Sequence, residues 1–246
     1  MGAEYDLATS VGRIAYLASR NGAENYLEIG VQNGNTFFDV QFPRKVAVDP
    51  RFGFDSAGRA GPGTFFCPMT SDAFFDSLRA GTQFCDGAGV PLPAPPVFDI
   101  IFIDGLHTFE QSFRDFENSL PFSHEKTFWL IDDTFPCDPF SALPDLRLAF
   151  QMRRFLGLPG GPWHGDVYKT ILAIHDMYPE FCYCTLTDGN AQTLVWRTDT
   201  RREARHFYSL KAINSVTYFD LLELMALMVP IPEEYLSEFL DKNFSG

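Results

Sequence analysis

The feature that most constrains this chain is a series of short apolar runs separated by segments of helical period. Tyr26–Val31 (YLEIGV), Lys45–Val48 (KVAV), Thr64–Cys67 (TFFC), Phe98–Ile103 (FDIIFI) and Thr127–Ile131 (TFWLI) are nearly continuous in apolar residues. Such runs read as strands covered on both faces, because a half-exposed strand would alternate. Between and around them, helices are expected at 5–20, 71–79, 108–120, 146–156 and 166–177. In the first, Leu7, Val11, Ile14 and Leu17 share a face and Asn21-Gly22 supplies the stop. Strands alternating with helices predict a parallel sheet with helices on both faces. Two further runs, 180–186 and 192–197, flank Thr187-Asp188-Gly189-Asn190 and predict an antiparallel hairpin.

The remaining segments are punctuation and appendage. Residues 80–97, rich in Gly and Pro, and 133–145, with three prolines, read as loops. Residues 215–228 (SVTYFDLLELMALM) read as one helix apolar almost all round, destined for the core or for a homodimer seam. Pro232, Glu233 and Glu234 suit the opening of a last helix. The expected division is an N-terminal helix (1–22), a main domain (23–200) and a C-terminal helical appendage (201–246).

Charge and cysteines narrow the function. A net charge of -13 without a local run of Lys or Arg disfavours phosphate backbones and anionic membranes, so neither nucleic acid nor membrane is an expected partner. Five cysteines without regular spacing do not suggest a disulfide framework, and Cys182 and Cys184, on one face of a strand, read as two buried free thiols. No basic segment followed by an apolar run opens the chain, and no apolar stretch is long enough to span a bilayer, so a reducing cytoplasm is expected.

In an open parallel sheet, ligands bind beyond the carboxyl ends of the strands. After the first run stands Glu28-Ile-Gly30-Val-Gln-Asn-Gly34, whose glycines permit backbone approaches that a Cβ forbids, or simply make a strand-to-helix turn. After the second run stands Asp49, which can accept hydrogen bonds from ribose hydroxyls or begin an Asp-Pro turn. One glycine pair is not the G-x-G-x-x-G of pyrophosphate binding, which weighs against a nicotinamide-dependent oxidoreductase. Glu28 would serve a cationic ligand with an amino group better than a pyrophosphate.

E-x-G-x-x-x-G followed by an acid closing the second strand resembles the class I S-adenosylmethionine-dependent methyltransferases over about residues 24–197. The resemblance implies a Rossmann-like, doubly wound α/β fold. Its sheet would be seven-stranded, mostly parallel with an antiparallel terminal strand, and would carry N- and C-terminal helices. It implies that Glu28, Gly30 and Gly34 line the methionine and ribose of the cofactor, that Asp49 holds the ribose, and that Ser71 and Asp72 lie near the adenine. The N/D-P-P-F/Y stretch of nucleobase-amine methyltransferases is replaced by Asp104-Gly105-Leu106-His107.

The fourth run ends in Asp104 and the fifth in Asp132-Asp133. If the two strands are neighbours, three carboxylates converge, and like charges so close call for a cation; oxygen ligands suit Mg²⁺. The other reading leaves Asp132 capping a loop and Asp133 facing water. The acids resemble those of the metal-dependent O-methyltransferases of the catechol and macrolide-sugar kinds. IDGLHTFEQSFRDFE, LIDDT and Gly165–Lys169 (GDVYK) resemble one branch that often acts on sugars and secondary metabolites. That resemblance implies metal binding by Asp104, Asp132 and Asp133, with Asp104 also beside the cofactor. His107 stands where the catechol branch has a lysine base; it can take a hydroxyl proton, or cap and pack. The expected activity is O-methylation of a hydroxylated small molecule or sugar with divalent-metal assistance. The alternative is a non-catalytic nucleoside-binding or interaction protein on the same fold.

Overall fold

The computed structural model describes residues 5–202 and 205–244. The chain separates into two compact units. One comprises the residues up to Gly105 together with Arg114–Leu130; the other comprises Leu106–Phe113 and the residues from Ile131 onward.

The first unit opens with α1 (Ser10–Asn21). The helix starts later than its apolar spacing suggests because Thr9 caps it, accepting the Gly12 N–H, and Gly22 closes it in a left-handed turn with φ 68°. Then follow β1 (Asn25–Ile29), the short α2 (Asn35–Asp39), β2 (Arg44–Val48), β3 (Thr64–Cys67), α3 (Ser71–Arg79), β4 (Phe98–Ile103), α4 (Phe109–Ser119, which begins in the second unit) and β5 (Ser123–Ile131). The strand order is β3-β2-β1-β4-β5, and β3, β2, β1 and β4 pair in parallel. Their runs are apolar because both faces are covered: Leu27, Ile100, Ile101 and Phe102 are fully buried. Ile29 pairs with both Val48 and Ile103, and Val48 pairs with Cys67. The carboxyl ends are therefore level, and the chain leaves the sheet at Gly30, Asp49 and Asp104 side by side.

The second unit contains α5 (Leu146–Phe155), α6 (Tyr168–Met177), β6 (Phe181–Leu186), β7 (Gln192–Arg197), α7 (Leu210–Asn214), α8 (Tyr218–Glu223), β8 (Pro230–Ile231) and α9 (Leu236–Asn243). The expected hairpin forms: β6 and β7 pair antiparallel from Phe181↔Arg197 to Leu186↔Gln192. Here the order is β7-β6-β8. The fold is α/β and Rossmann-like, with eight strands among the described residues rather than seven. The eighth, β8, is two residues paired in parallel with Thr185 and Leu186.

Residues 215–228 do not form one buried helix. Thr217 and Asp220 make a reciprocal capping box that starts α8, and Val229 turns left-handed with φ 48° after a 3₁₀ turn at Met225–Met228. Only Val216, Leu221 and Met228 of the stretch are buried, whereas Phe219 is 67% exposed. No described helix is long and apolar enough to cross a membrane. The five thiols are free; Cys184 is buried and Cys182 half-buried.

Candidate active site

In the first unit, the loop after β1 depends on its glycines. Gly30 has φ 90°, and a Cβ there would collide with the Asp104 carbonyl, so only glycine lets the ends of β1 and β4 meet. Gly34 has φ 79°, with the Phe38 ring where its Cβ would be. Asp49 braces this loop: one carboxylate oxygen accepts the Gln32 N–H (2.9 Å) and the other the Arg51 N–H (2.7 Å). It remains half-exposed, with lone pairs left for further donors.

Glu28 is buried beside Tyr26. Residues i and i+2 of a strand share a face, and the Tyr26 hydroxyl donates to Glu28 Oε2 at 2.6 Å. Glu28 is 2% exposed, within the core rather than on an open rim. Burial drives its pKa up to about 8, against the favourable pull of the Tyr26 hydrogen bond and of Lys45. Lys45 itself donates to the carbonyls of Phe37 and Val40 at the end of α2. Ser71 is buried in the first turn of α3, behind the Thr70 cap. Asp72 accepts from Arg114 (3.1 Å) and Asn118 (3.4 Å).

In the second unit, His107 is gripped from two sides. Its Nδ1 lies 2.8 Å from Asp133 Oδ2 and 3.1 Å from the Trp163 carbonyl. The indole of Trp163 stacks on the imidazole, with centroids 4.8 Å apart and planes 12° off parallel. Both acceptors require a proton on Nδ1, so the neutral ring is the Nδ1–H tautomer. Burial disfavours the charged ring, but the hydrogen bond and charge of Asp133, aided by the Trp163 carbonyl, outweigh it and hold the His107 pKa above its ordinary value. The side chains of His107 and Asp133 are 26% and 17% exposed, within reach of a solute.

Asp133 reaches His107 because its backbone is left-handed, with φ 60°. Asp tolerates that region better than most residues. Asp132 is oriented differently: its Oδ1 accepts the Asp133 N–H at 2.9 Å, and Gln192 donates to its carboxylate. Burial, followed by the charge of Asp133, raises its pKa to about 6. On the other side of Asp133, His164 Nε2 is 4.0 Å from Oδ1, and burial lowers the His164 pKa. The sequence did not single out Gln192, because nothing local marks the first residue of a strand as the partner of an acid sixty residues earlier. Trp163 lies between the helices expected at 146–156 and 166–177, where no pattern marks it.

Residues 27–134 match a family model described as a methyltransferase domain. No curated protein matches the chain. Among solved structures, an O-methyltransferase from Bacillus cereus in complex with SAH is 15% identical, covering 74% of this chain and 77% of that one, with a TM-score of 0.45. The O-methyltransferase TomG from Streptomyces achromogenes, involved in tomaymycin synthesis and in complex with SAM, is 16% identical, covering 78% and 82%, with a TM-score of 0.43. The SAH-bound Podospora anserina methyltransferase PaMTH1 is 12% identical, covering 77% and 78%, with a TM-score of 0.49.

Proposed function

We propose that the chain, whose residues 27–134 match a model described as a methyltransferase domain, is an S-adenosylmethionine-dependent O-methyltransferase acting on a hydroxylated small molecule. The observation that carries the catalytic half of this reading is the His107–Asp133 pair, an imidazole oriented by a carboxylate 2.8 Å from its Nδ1.

Bound S-adenosylmethionine would supply a methyl group on a positively charged sulfur, open to an oxygen nucleophile. The residues of the first unit fit such a cofactor at Asp49, a half-exposed carboxylate level with the end of β1, where it would accept the ribose hydroxyls. The backbone of 30–34, bare of Cβ atoms at Gly30 and Gly34, would face the methionyl part. Glu28 sits beneath this shelf; its role would be to hold the β1 end through Tyr26 rather than to meet the cofactor's ammonium group directly. Ser71 and Asp72, at the start of α3, would border the adenine.

His107 Nε2 would take the proton of the acceptor hydroxyl as the oxygen attacks. Asp133 and the Trp163 carbonyl favour the resulting imidazolium and keep the ring from turning. General-base catalysis of this kind contributes typically ~10²–10⁴-fold.

A divalent cation, Mg²⁺ or another, would polarise the acceptor oxygen. Asp133 offers one carboxylate ligand atom for it. Asp132 is less suited to hold it, because its carboxylate is turned to the Asp133 N–H and to Gln192.

The test is methyl transfer from methyl-labelled S-adenosylmethionine to a panel of catechols, phenols and sugars, with wild type and His107→Gln side by side. Label in a hydroxyl-bearing acceptor, lost in the variant, supports the reading. No labelled acceptor across the panel, or equal labelling by His107→Gln, counts against it.

A further inference from the structure

The segment that follows α5 holds more than the indole of Trp163 against His107. Gly165 has φ 64°, and a Cβ there would collide with the His107 carbonyl oxygen, so this glycine lets the segment lie directly on the histidine's own backbone. The next residue, Asp166, is 6% exposed and reaches the same turn from its other end: its Oδ1 accepts the Phe109 N–H at 2.8 Å. Phe109 begins α4, two residues after His107. A helix leaves its first N–H groups without intrahelical partners, and a carboxylate there is a favourable acceptor. The other oxygen, Oδ2, accepts from Lys169 Nζ at 2.9 Å, and Lys169, 7% exposed, donates also to the Asn214 carbonyl at 2.9 Å. The Asp166 charge is thus compensated within the core, and the lysine ties it to α7.

We propose that Asp166, braced by Lys169, is a positioning residue for His107: it fixes the 107–109 turn so that the imidazole stays on Asp133 and the Trp163 carbonyl. The proposal rests on the reading of His107 as a base. The arrangement does not touch substrate; it acts through the turn. Asp133 and Trp163 determine which nitrogen is protonated, and Asp166 determines whether the ring is presented to them. A helix cap serving stability alone would leave the ring state of His107 unchanged in the folded protein.

The experiment reads the tautomer directly, without an acceptor or a cofactor. Protein labelled with ¹⁵N at its five histidines is examined by long-range ¹H–¹⁵N NMR at a fixed alkaline pH where the His107 ring is neutral, in the presence of EDTA, with His107 assigned by the signals missing in His107→Gln. Wild type is expected to give one His107 set with the proton on Nδ1. Asp166→Ala is expected to lose that single set for a mixture of tautomers or for broadened signals. Asp166→Asn, which retains an acceptor for the Phe109 N–H, is expected to restore most of it. A folded Asp166→Ala with His107 signals unchanged from wild type would overturn the proposal, even if its melting temperature falls. Should Asp166→Ala fail to fold, Lys169→Met, which withdraws the brace and keeps the acceptor, takes its place: displaced His107 signals support the proposal and wild-type signals overturn it. Because methyl transfer is not measured, failure here is distinguishable from failure of the proposed activity.

Discussion

His107 Nδ1 lies 2.8 Å from Asp133 Oδ2, and this one contact sets the chemistry of the imidazole. It places the proton of the neutral ring on Nδ1 and favours the charged ring. Asp133→Asn keeps the shape and removes the charge. Methyl transfer should fall ~10²–10⁴-fold, the usual range for a lost base or its orienting partner. The dissociation constant of S-adenosylmethionine should move less than threefold. Initial rates paired with calorimetry check this, and a parallel loss of cofactor affinity would place Asp133 in binding instead.

Asp49→Ala should act in the opposite sense. It removes the acceptor of the Gln32 and Arg51 N–H groups as well as the proposed ribose partner. Cofactor affinity should drop by roughly ten- to a hundredfold, about 1.4–2.8 kcal/mol, as expected for losing one or two charge-assisted hydrogen bonds. Asp49→Asn, which keeps one acceptor oxygen, should lie between.

The shape of the first unit was readable because its strands are covered on both faces and therefore appear as unbroken apolar words. The glycine loop was readable for the same physical reason that fixes it: Gly30 alone admits the Asp104 carbonyl. The site was less legible. The direction of the Asp133 carboxylate follows from a left-handed backbone at 60°, which no spacing rule reveals. The burial of Glu28 had a signal, since Tyr26 stands two residues earlier on the same strand face, but whether that face is core or rim depends on α2 and Lys45 packing over it. The break in 215–228 was signalled by Thr217-x-x-Asp220, a capping box hidden in a run whose apolar content suggested an uninterrupted helix.

Glu28 gives a dependence of stability on pH. Its carboxyl ionises near 4.5 when unfolded and near 8 when folded, because burial favours the neutral form. The folded state then binds more protons across that interval, so the contribution is fully present below about 4.5, declines as pH rises, and is gone above about 8. Glu28→Gln, uncharged at every pH and still able to accept from Tyr26, should flatten this part of the curve. Melting temperatures measured from pH 5 to 8 test it. The variant should gain on wild type toward pH 8, and parallel curves would mean that Glu28 is ionised in the fold.

Gly165→Ala should be disproportionately costly. A side chain at φ 64° is strained by ~1–3 kcal/mol, and the added methyl meets the His107 carbonyl. The turn must shift, so methyl transfer should fall at least tenfold in protein that still melts cooperatively. Full activity in a folded Gly165→Ala would show that the turn tolerates displacement.

The central claim, that the shelf at Gly30, Gly34 and Asp49 takes S-adenosylmethionine, is tested most directly by titration calorimetry of wild type and Asp49→Ala with S-adenosylmethionine and with NAD, each with EDTA and again with Mg²⁺ or Mn²⁺. The account predicts saturable binding of S-adenosylmethionine to wild type, weakened in Asp49→Ala, and no binding of NAD. Saturable NAD binding with no heat from S-adenosylmethionine under any of these conditions would contradict it.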